Sequence, residues 1–312
     1  MSKNKYANIG GQAVMEGILM RSPKKSVMAV RTSDGEIVLE DMKFVSVRER
    51  FPILKLPILR GIASFVEGMF LGYKSLTRSA ELAGLDEETS GSKGMQTFWM
   101  FIAVLLGVGI AVGLFIVLPV LAIYLLDSVV KLGFFKTLCE GVVRIIIFIV
   151  YILAVSKMKD IHTLFAYHGA EHKTIFCVEA GEELTVENVR KQGRLHPRCG
   201  TNFMFIVMIV SILFFSFVTW SNPIIRVLLK LALMPIVAGV CFEIIRFAGK
   251  YNNIVTKIIS APGKAMQKIT TKEPTDEQIE VAISAIKASL AEDEQPIEEV
   301  DLKTAFSGDE NF

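Results

Sequence analysis

Several classes of protein are excluded by what this sequence lacks. Cysteine is scarce, with four residues in 312 at positions 139, 177, 199 and 241, too few and too scattered for the dense framework of a secreted disulfide scaffold. No excess charge of either sign is present: 34 basic residues oppose 32 acidic ones, for a net charge of +2. That balance offers no basis for neutralising a phosphate backbone, and no nucleic-acid partner is expected. The first ten residues are polar and lack the apolar run of a cleavable signal peptide, so a reducing cytosol is expected on one side of the chain's surroundings. No repeat period stands out, and the glycines do not have phosphate-loop spacing. Apolar residues, by contrast, are abundant. They make up 52% of the chain, mean hydropathy is +0.47, and only 21% of residues are charged, a balance that points to a membrane protein.

Four stretches are long and uncharged enough to be candidate spans: Phe98 to Leu126, Cys139 to Ser156, Phe203 to Trp220, and Ile224 to Ile245. Trp99, Tyr124 and Trp220 fall at their ends, where amphipathic rings favour the headgroup layer. Outside the spans, 29 Lys and Arg residues fall on one side of the membrane and 2 on the other. This asymmetry places both termini and the loop 157–202 in the cytoplasm of a multi-pass protein of the cell inner (plasma) membrane. Arg144, Arg226 and Lys230 lie inside spans near the outer ends, where they either snorkel to the surface or line an anion path. Glu243 is the acid read within a span, close to its cytosolic end. No acid is read at mid-membrane, which argues against ion-coupled transport.

The expected fold class is therefore mainly α, a polytopic membrane protein with about four transmembrane helices and a small N-terminal cytosolic unit containing a β-hairpin. Residues 1–50 form the β unit, its hairpin running from Val27 to Thr32, through Ser33, Asp34 and Gly35, and back along Glu36 to Val45. Residues 51–83 carry Ile58, Ile62, Phe65, Met69, Tyr73 and Leu76 on one helical face with basic residues interspersed. That pattern fits a helix lying in the headgroup plane equally well as one packed on the β unit or the spans. Residues 84–97 read as a linker, and 98–245 as the membrane domain with its cytosolic loop. Residues 246–312 read as a helical, acidic tail with a capped helix from Thr275 to Ala291; from residue 275 onward, 11 acids face 2 bases.

The strongest chemical signal is histidine. All four, His162, His168, His172 and His196, fall within 35 consecutive residues of one cytosolic loop. In His168-Gly169-Ala170-Glu171-His172 the two histidines stand one helical turn apart, able to hold one metal ion, with Glu171 beside them as a general base. His196-Pro197-Arg198-Cys199 supplies a second short-range pair of the kind found in zinc sites. His162 faces elsewhere, Cys177 reads as a buried small hydrophobe, and Cys139 and Cys241 as packing residues. The order His-x-x-Glu-His resembles the inverzincin metalloprotease motif over five residues, with Glu243 as the conceivable distant ligand.

Three longer segments carry a wider resemblance: Gly10-Gly11-Gln12-Ala13-Val14-Met15-Glu16-Gly17-Ile18-Leu19-Met20-Arg21, Tyr167-His168-Gly169-Ala170-Glu171-His172-Lys173, and His196-Pro197-Arg198-Cys199-Gly200-Thr201-Asn202-Phe203. They resemble the signature segments of the bacterial YqhQ-like family of membrane proteins of unknown function, over nearly the whole chain. The resemblance implies a metal-dependent enzyme and adds Glu16 and Arg21 as accessory candidates. Gly10 and Gly11 read as a tight turn or as a place where backbone approaches a ligand.

Two functions follow. In the first, His168, His172 and His196 bind a divalent ion, zinc by donor type, and Glu171 acts as base in hydrolysis of something that reaches the inner membrane surface, with membrane lipids as neighbours. In the second, Cys199 completes a closed shell, and the ion staples a scaffold that binds a membrane-protein partner from biogenesis or quality control. Lipid or anion handling by Arg144, Arg226 and Lys230 is a third, weaker reading.

Overall fold

Residues 17–20 and 27–30 are apolar at consecutive rather than alternate positions, the pattern of strands covered on both faces. The structure, a computed structural model, describes residues 9–23, 25–43, 46–85, 93–196, 199–218, 222–248 and 254–291. In it, β1 (Gly10–Val14), β2 (Gly17–Arg21), β3 (Ser26–Arg31) and β4 (Ile37–Asp41) form an antiparallel meander in that order. Among the described residues the helices of six residues or more are α1 (Leu59–Leu82), α2 (Lys93–Val112), α3 (Leu118–Val129), α4 (Lys136–Val155), α5 (Lys159–Ala180), α6 (Val186–Lys191), α7 (Gly200–Ser216), α8 (Pro223–Ala248), α9 (Ile254–Thr270) and α10 (Asp276–Leu290). The hairpin expected around Gly35 is β3–β4, with Gly35 at φ +86°. β1 and β2 enlarge it to four strands.

The chain divides into two compact units. The first comprises Met1–Leu85, Lys159–His196 and Thr270–Phe312, and the second Asp86–Met158 and Pro197–Ile269. Segments that read as separate along the sequence thus fold together in the first unit.

That unit has three layers. On one face of the sheet, Ile18, Met20 and Ala29 pack with Tyr167 and Ala170 of α5 and with Ile279, Ile283 and Ile286 of α10. On the other, Leu19, Met28 and Val30 pack with Leu71 of α1. The close approach of β3 to the start of β2 requires Gly17, because a Cβ there would come within 2.3 Å of the Ala29 carbonyl oxygen. α10 begins at Thr275 with a capping box closed by Gln278, and it is a core element, unlike the solvated tail its charge suggested. Ile279, Val281, Ile283 and Ile286 are all buried. At about 1.5–3 kcal/mol per side chain, their burial is comparable to the whole stability of a small domain. The acidic residues beyond 291 and the linker residues 86–92 lie outside the described residues.

The second unit holds three helices long and apolar enough to cross a membrane by length and composition: Phe98–Val129, Lys136–Val155 and Pro223–Phe247. They suggest membrane association. The sequence reading counted a fourth, from Phe203 to Trp220, but α7 ends at Ser216. Its 17 residues give about 25 Å, short of the roughly 30 Å hydrocarbon layer. α2 and α3 join through a π-helical segment, Gly113–Val117, in which the Phe115 carbonyl accepts a 2.8 Å hydrogen bond from Arg144 Nε.

Arg144, Arg226 and Lys230 do not snorkel. All three are buried. Arg226 and Lys230 both ion-pair with Glu140, while Arg144 also donates to Ser211 Oγ at 2.9 Å and lies over the Phe215 ring at 5.1 Å. Glu140, an acid within the second predicted span that the sequence reading passed over, is what turns the bases inward. A buried ammonium or guanidinium needs a counter-charge more than it needs a route to water.

Candidate functional site

Helical spacing places His168, Glu171, His172 and Glu179 on one face of α5, and the fold closes three segments over that face. Residues 270–274 run alongside α5, where the Lys272 N–H donates to the Phe165 carbonyl at 2.8 Å. This close approach explains Gly169 inside the motif: a Cβ there would lie 2.1 Å from the Lys272 carbonyl oxygen. From the strap, the Thr270 carbonyl meets His168 Nδ1 at 2.9 Å. From the segment after α6, the Arg194 carbonyl meets His172 Nδ1 at 2.5 Å. Arg194 is itself tied down, donating through its guanidinium to the Thr271 carbonyl at 2.5 Å.

A carbonyl oxygen only accepts, so Nδ1 carries the proton on both histidines and Nε2 is the lone-pair nitrogen when the ring is neutral. His196 is held the other way round. Its Nε2 faces Glu179 Oε2 at 3.5 Å, which assigns the lone pair to Nδ1. The His168 and His172 rings are 4.4 Å apart and those of His172 and His196 5.7 Å, and Phe176 packs on His196 at 4.5 Å. His172 and His196 are almost fully buried.

Glu171 completes the group, one of its carboxylate oxygens 4.0 Å from His168 Nε2. Burial pushes its carboxyl above the ordinary range, opposed by His168, His196 and the Gly11 N–H. Gly11 sits in β1, in a strand and not in a tight turn. A Cβ on it would stand 3.1 Å from Glu171 Cγ, so its missing side chain leaves room for the carboxylate.

Residues of all three signature segments therefore meet here: Gly11, the run His168–His172, and His196. The turn following β1 contributes Glu16, a non-glycine residue at φ +46°. It is held there by the Arg31 N–H on its carbonyl at 2.8 Å and by the Tyr167 hydroxyl donating to its carboxylate at 3.3 Å. Burial, reinforced by Glu16, raises the Tyr167 pKa. Beside the site opens a cleft of about 630 Å³ lined by Lys173, Phe176, Gln192, Arg194, Leu195 and Glu273. Lys173 ion-pairs with Glu273 across it.

Arg21 and Glu243 are placed elsewhere. Arg21, at the end of β2, interacts with Glu67 and Arg48 on the α1 side of the sheet. Glu243 belongs to α8 of the second unit. Cys199 is the N-cap of α7, also in the second unit, and its sulfur accepts from the Thr201 N–H and hydroxyl. It follows His196 by three residues. Sequence reasoning missed Glu179, although a seven-residue step from His172 is two turns and the same helix face. It missed the carbonyls of Thr270 and Arg194 because backbone groups leave no sequence signal.

These features define a mainly helical protein with candidate membrane spans and a histidine–carboxylate cluster in an α/β unit. Residues 56–292 match the family described as "Protein of unknown function (DUF1385)". The chain is 36% identical over 306 residues to the "Uncharacterized protein YqhQ" of Bacillus subtilis (strain 168), covering 93% of this chain and 95% of that protein. The chain belongs to this YqhQ-like family of unknown function. No solved structure matches it.

Proposed function

We propose that this is a membrane-anchored, metal-dependent hydrolase whose first unit binds a divalent ion through His168 Nε2, His172 Nε2 and His196 Nδ1, with zinc the ion suited to an imidazole set. One observation carries the reading: each of the three imidazoles has one nitrogen directed at an oxygen acceptor, which orients the other nitrogen for a metal, the usual second layer of a histidine–metal site. The ion would supply Lewis-acid polarisation of the scissile group. Glu171, beside His168 Nε2, takes the proton from the attacking water, and the neighbouring cleft admits the substrate. With the chain associated with a membrane, the substrate is one that reaches the inner membrane surface.

The test is metal content by elemental analysis of protein purified without chelators, combined with complementation of a deletion strain. Stoichiometric metal is expected in the native chain and in Glu171→Gln, and its loss in His168→Ala/His172→Ala. Glu171→Gln should fail to complement. Absence of metal from the native protein refutes the proposal.

A second reading is a structural staple in a non-enzymatic scaffold that docks a membrane-protein partner. The burial of His172 and His196 and the three-residue step from His196 to Cys199 favour it, since a thiolate would close the coordination shell. In that case Cys199→Ala releases the ion while Glu171→Gln complements fully.

A further inference from the structure

α1 packs on the sheet along Leu71, Ser75 and Ser79, yet the remainder of its surface is not that of a helix facing water. Ile53, Val66 and Met69 are 63%, 58% and 60% exposed, and Phe51, Leu56, Phe65, Phe70, Tyr73 and Leu76 are exposed beside them. So dense an apolar surface is uncommon on a soluble unit and marks a contact with something apolar. Three further observations identify what it contacts.

The first is charge. Arg50, Lys55, Arg60 and Lys74 lie within the same stretch, whereas its one acid, Glu67, is buried and paired with Arg48 at 3.2 Å. Between Arg50 and Leu76 the patch is therefore apolar with a cationic margin and no exposed acid, the composition that binds acidic lipid. The exposed acids nearest to it along the chain are Glu49 at one end and Glu81, paired with Arg78, at the other. The second is strain. Ile58, β-branched, sits at φ +67°, a conformation such residues adopt only when their surroundings hold them there. It marks the corner at which the Phe51–Leu56 segment turns into α1. The third is the tether: α1 ends at Leu82, and the first candidate span begins at Phe98, so the helix sits within a short length of chain from a membrane entry point.

We infer that the outer face of α1, together with the Phe51–Leu56 segment, lies on the acidic lipid surface of the membrane from which the first unit hangs. The contact makes no use of the histidine cluster, so it stands or falls apart from the metal reading.

The experiment uses the full chain in nanodiscs with Trp99→Phe and Trp220→Phe as background and a single indole introduced by Phe70→Trp or, as a control on the β3–β4 turn, by Asp34→Trp. The lipids are phosphatidylcholine alone or mixed with phosphatidylglycerol, each with brominated acyl chains. With phosphatidylglycerol present, bromine is expected to quench the indole of Phe70→Trp and shift its emission to the blue, with Asp34→Trp unaffected. Replacing Arg50, Lys55, Arg60 and Lys74 with Gln should reduce the quenching. Equal quenching in pure phosphatidylcholine would overturn the acidic-lipid assignment. An unquenched Phe70→Trp indole, whether exposed or covered by a second copy or another protein, would overturn the lipid contact itself. The lipid comparison needs no charge variant, so misfolding of the Gln variant leaves the test intact.

Discussion

Gly169→Ala separates the local rules of helices from the demands of this fold, because the two predict opposite signs. In the middle of an isolated helix, Ala is favoured over Gly by about 1 kcal/mol. Here the added methyl would stand 2.1 Å from the Lys272 carbonyl oxygen, and because that atom is backbone, the strap itself must move. Displacing it puts three hydrogen bonds at risk: Lys272 N–H to Phe165, His168 Nδ1 to Thr270, and Arg194 to Thr271. At about 1 kcal/mol each, with about 1–3 kcal/mol for overpacking and the propensity gain subtracted, losing all three costs about 3–5 kcal/mol. Hydrogen exchange read by mass spectrometry should show the Lys272 amide losing protection, and the melting temperature should fall. Metal affinity should drop as well, because His168 loses the acceptor that fixes its tautomer. A Gly169→Ala protein that melts higher and keeps the Lys272 amide protected would refute the reasoning.

Glu140→Gln leaves Arg226 and Lys230 buried without their carboxylate and is expected to destabilise the second unit by about 3–5 kcal/mol, read as a lower melting temperature in detergent. Asp127→Asn, which removes only the partly exposed pair with Lys136, should cost under about 1 kcal/mol. For Tyr167, burial raises the folded pKa above its ordinary value of 10.0. Above that pH the unfolded chain gives up its phenolic proton before the folded one does, so stability falls as pH rises. Tyrosinate absorbance should show Tyr167 titrating above the ordinary tyrosine value, and Tyr167→Phe should lessen the alkaline loss. Glu179→Gln weakens the acceptor facing His196 Nε2 and should lower metal affinity about 10–100-fold, as for other outer-shell partners, measured by competition with a chromophoric chelator.

Periodicity and charge made three of the long apolar helices and the β3–β4 hairpin legible in the sequence. The shortness of α7 was not, because an apolar run does not say where a helix stops: α7 ends at Ser216 while the run continues through Phe217 and Val218. The histidine spacing pointed to His168 and His172 as neighbours on one face, and the structure brings His196 and Glu171 to them. What could not be read was the strap from Thr270 to Glu273, a segment about a hundred residues away whose carbonyls do the orienting. What Gly11 and Gly169 make room for could not be read either, because only the tertiary fold shows what approaches them. Arg144, Arg226 and Lys230, which read either as snorkelling to the surface or as lining an anion path, are buried instead, with Glu140 as counter-charge to Arg226 and Lys230.

The first unit is stitched from three stretches of chain, with the whole second unit threaded between them, and this sets an order of assembly. The sheet and α1 leave the ribosome first, α5 follows once the early apolar helices have been made, and α10, which seals the core, emerges last among the described elements. Until then, Ile18, Met20 and Tyr167 have no lid. A nascent chain that stalls before residue 276 is left with a half-open core, its apolar side chains exposed as in any incompletely folded domain.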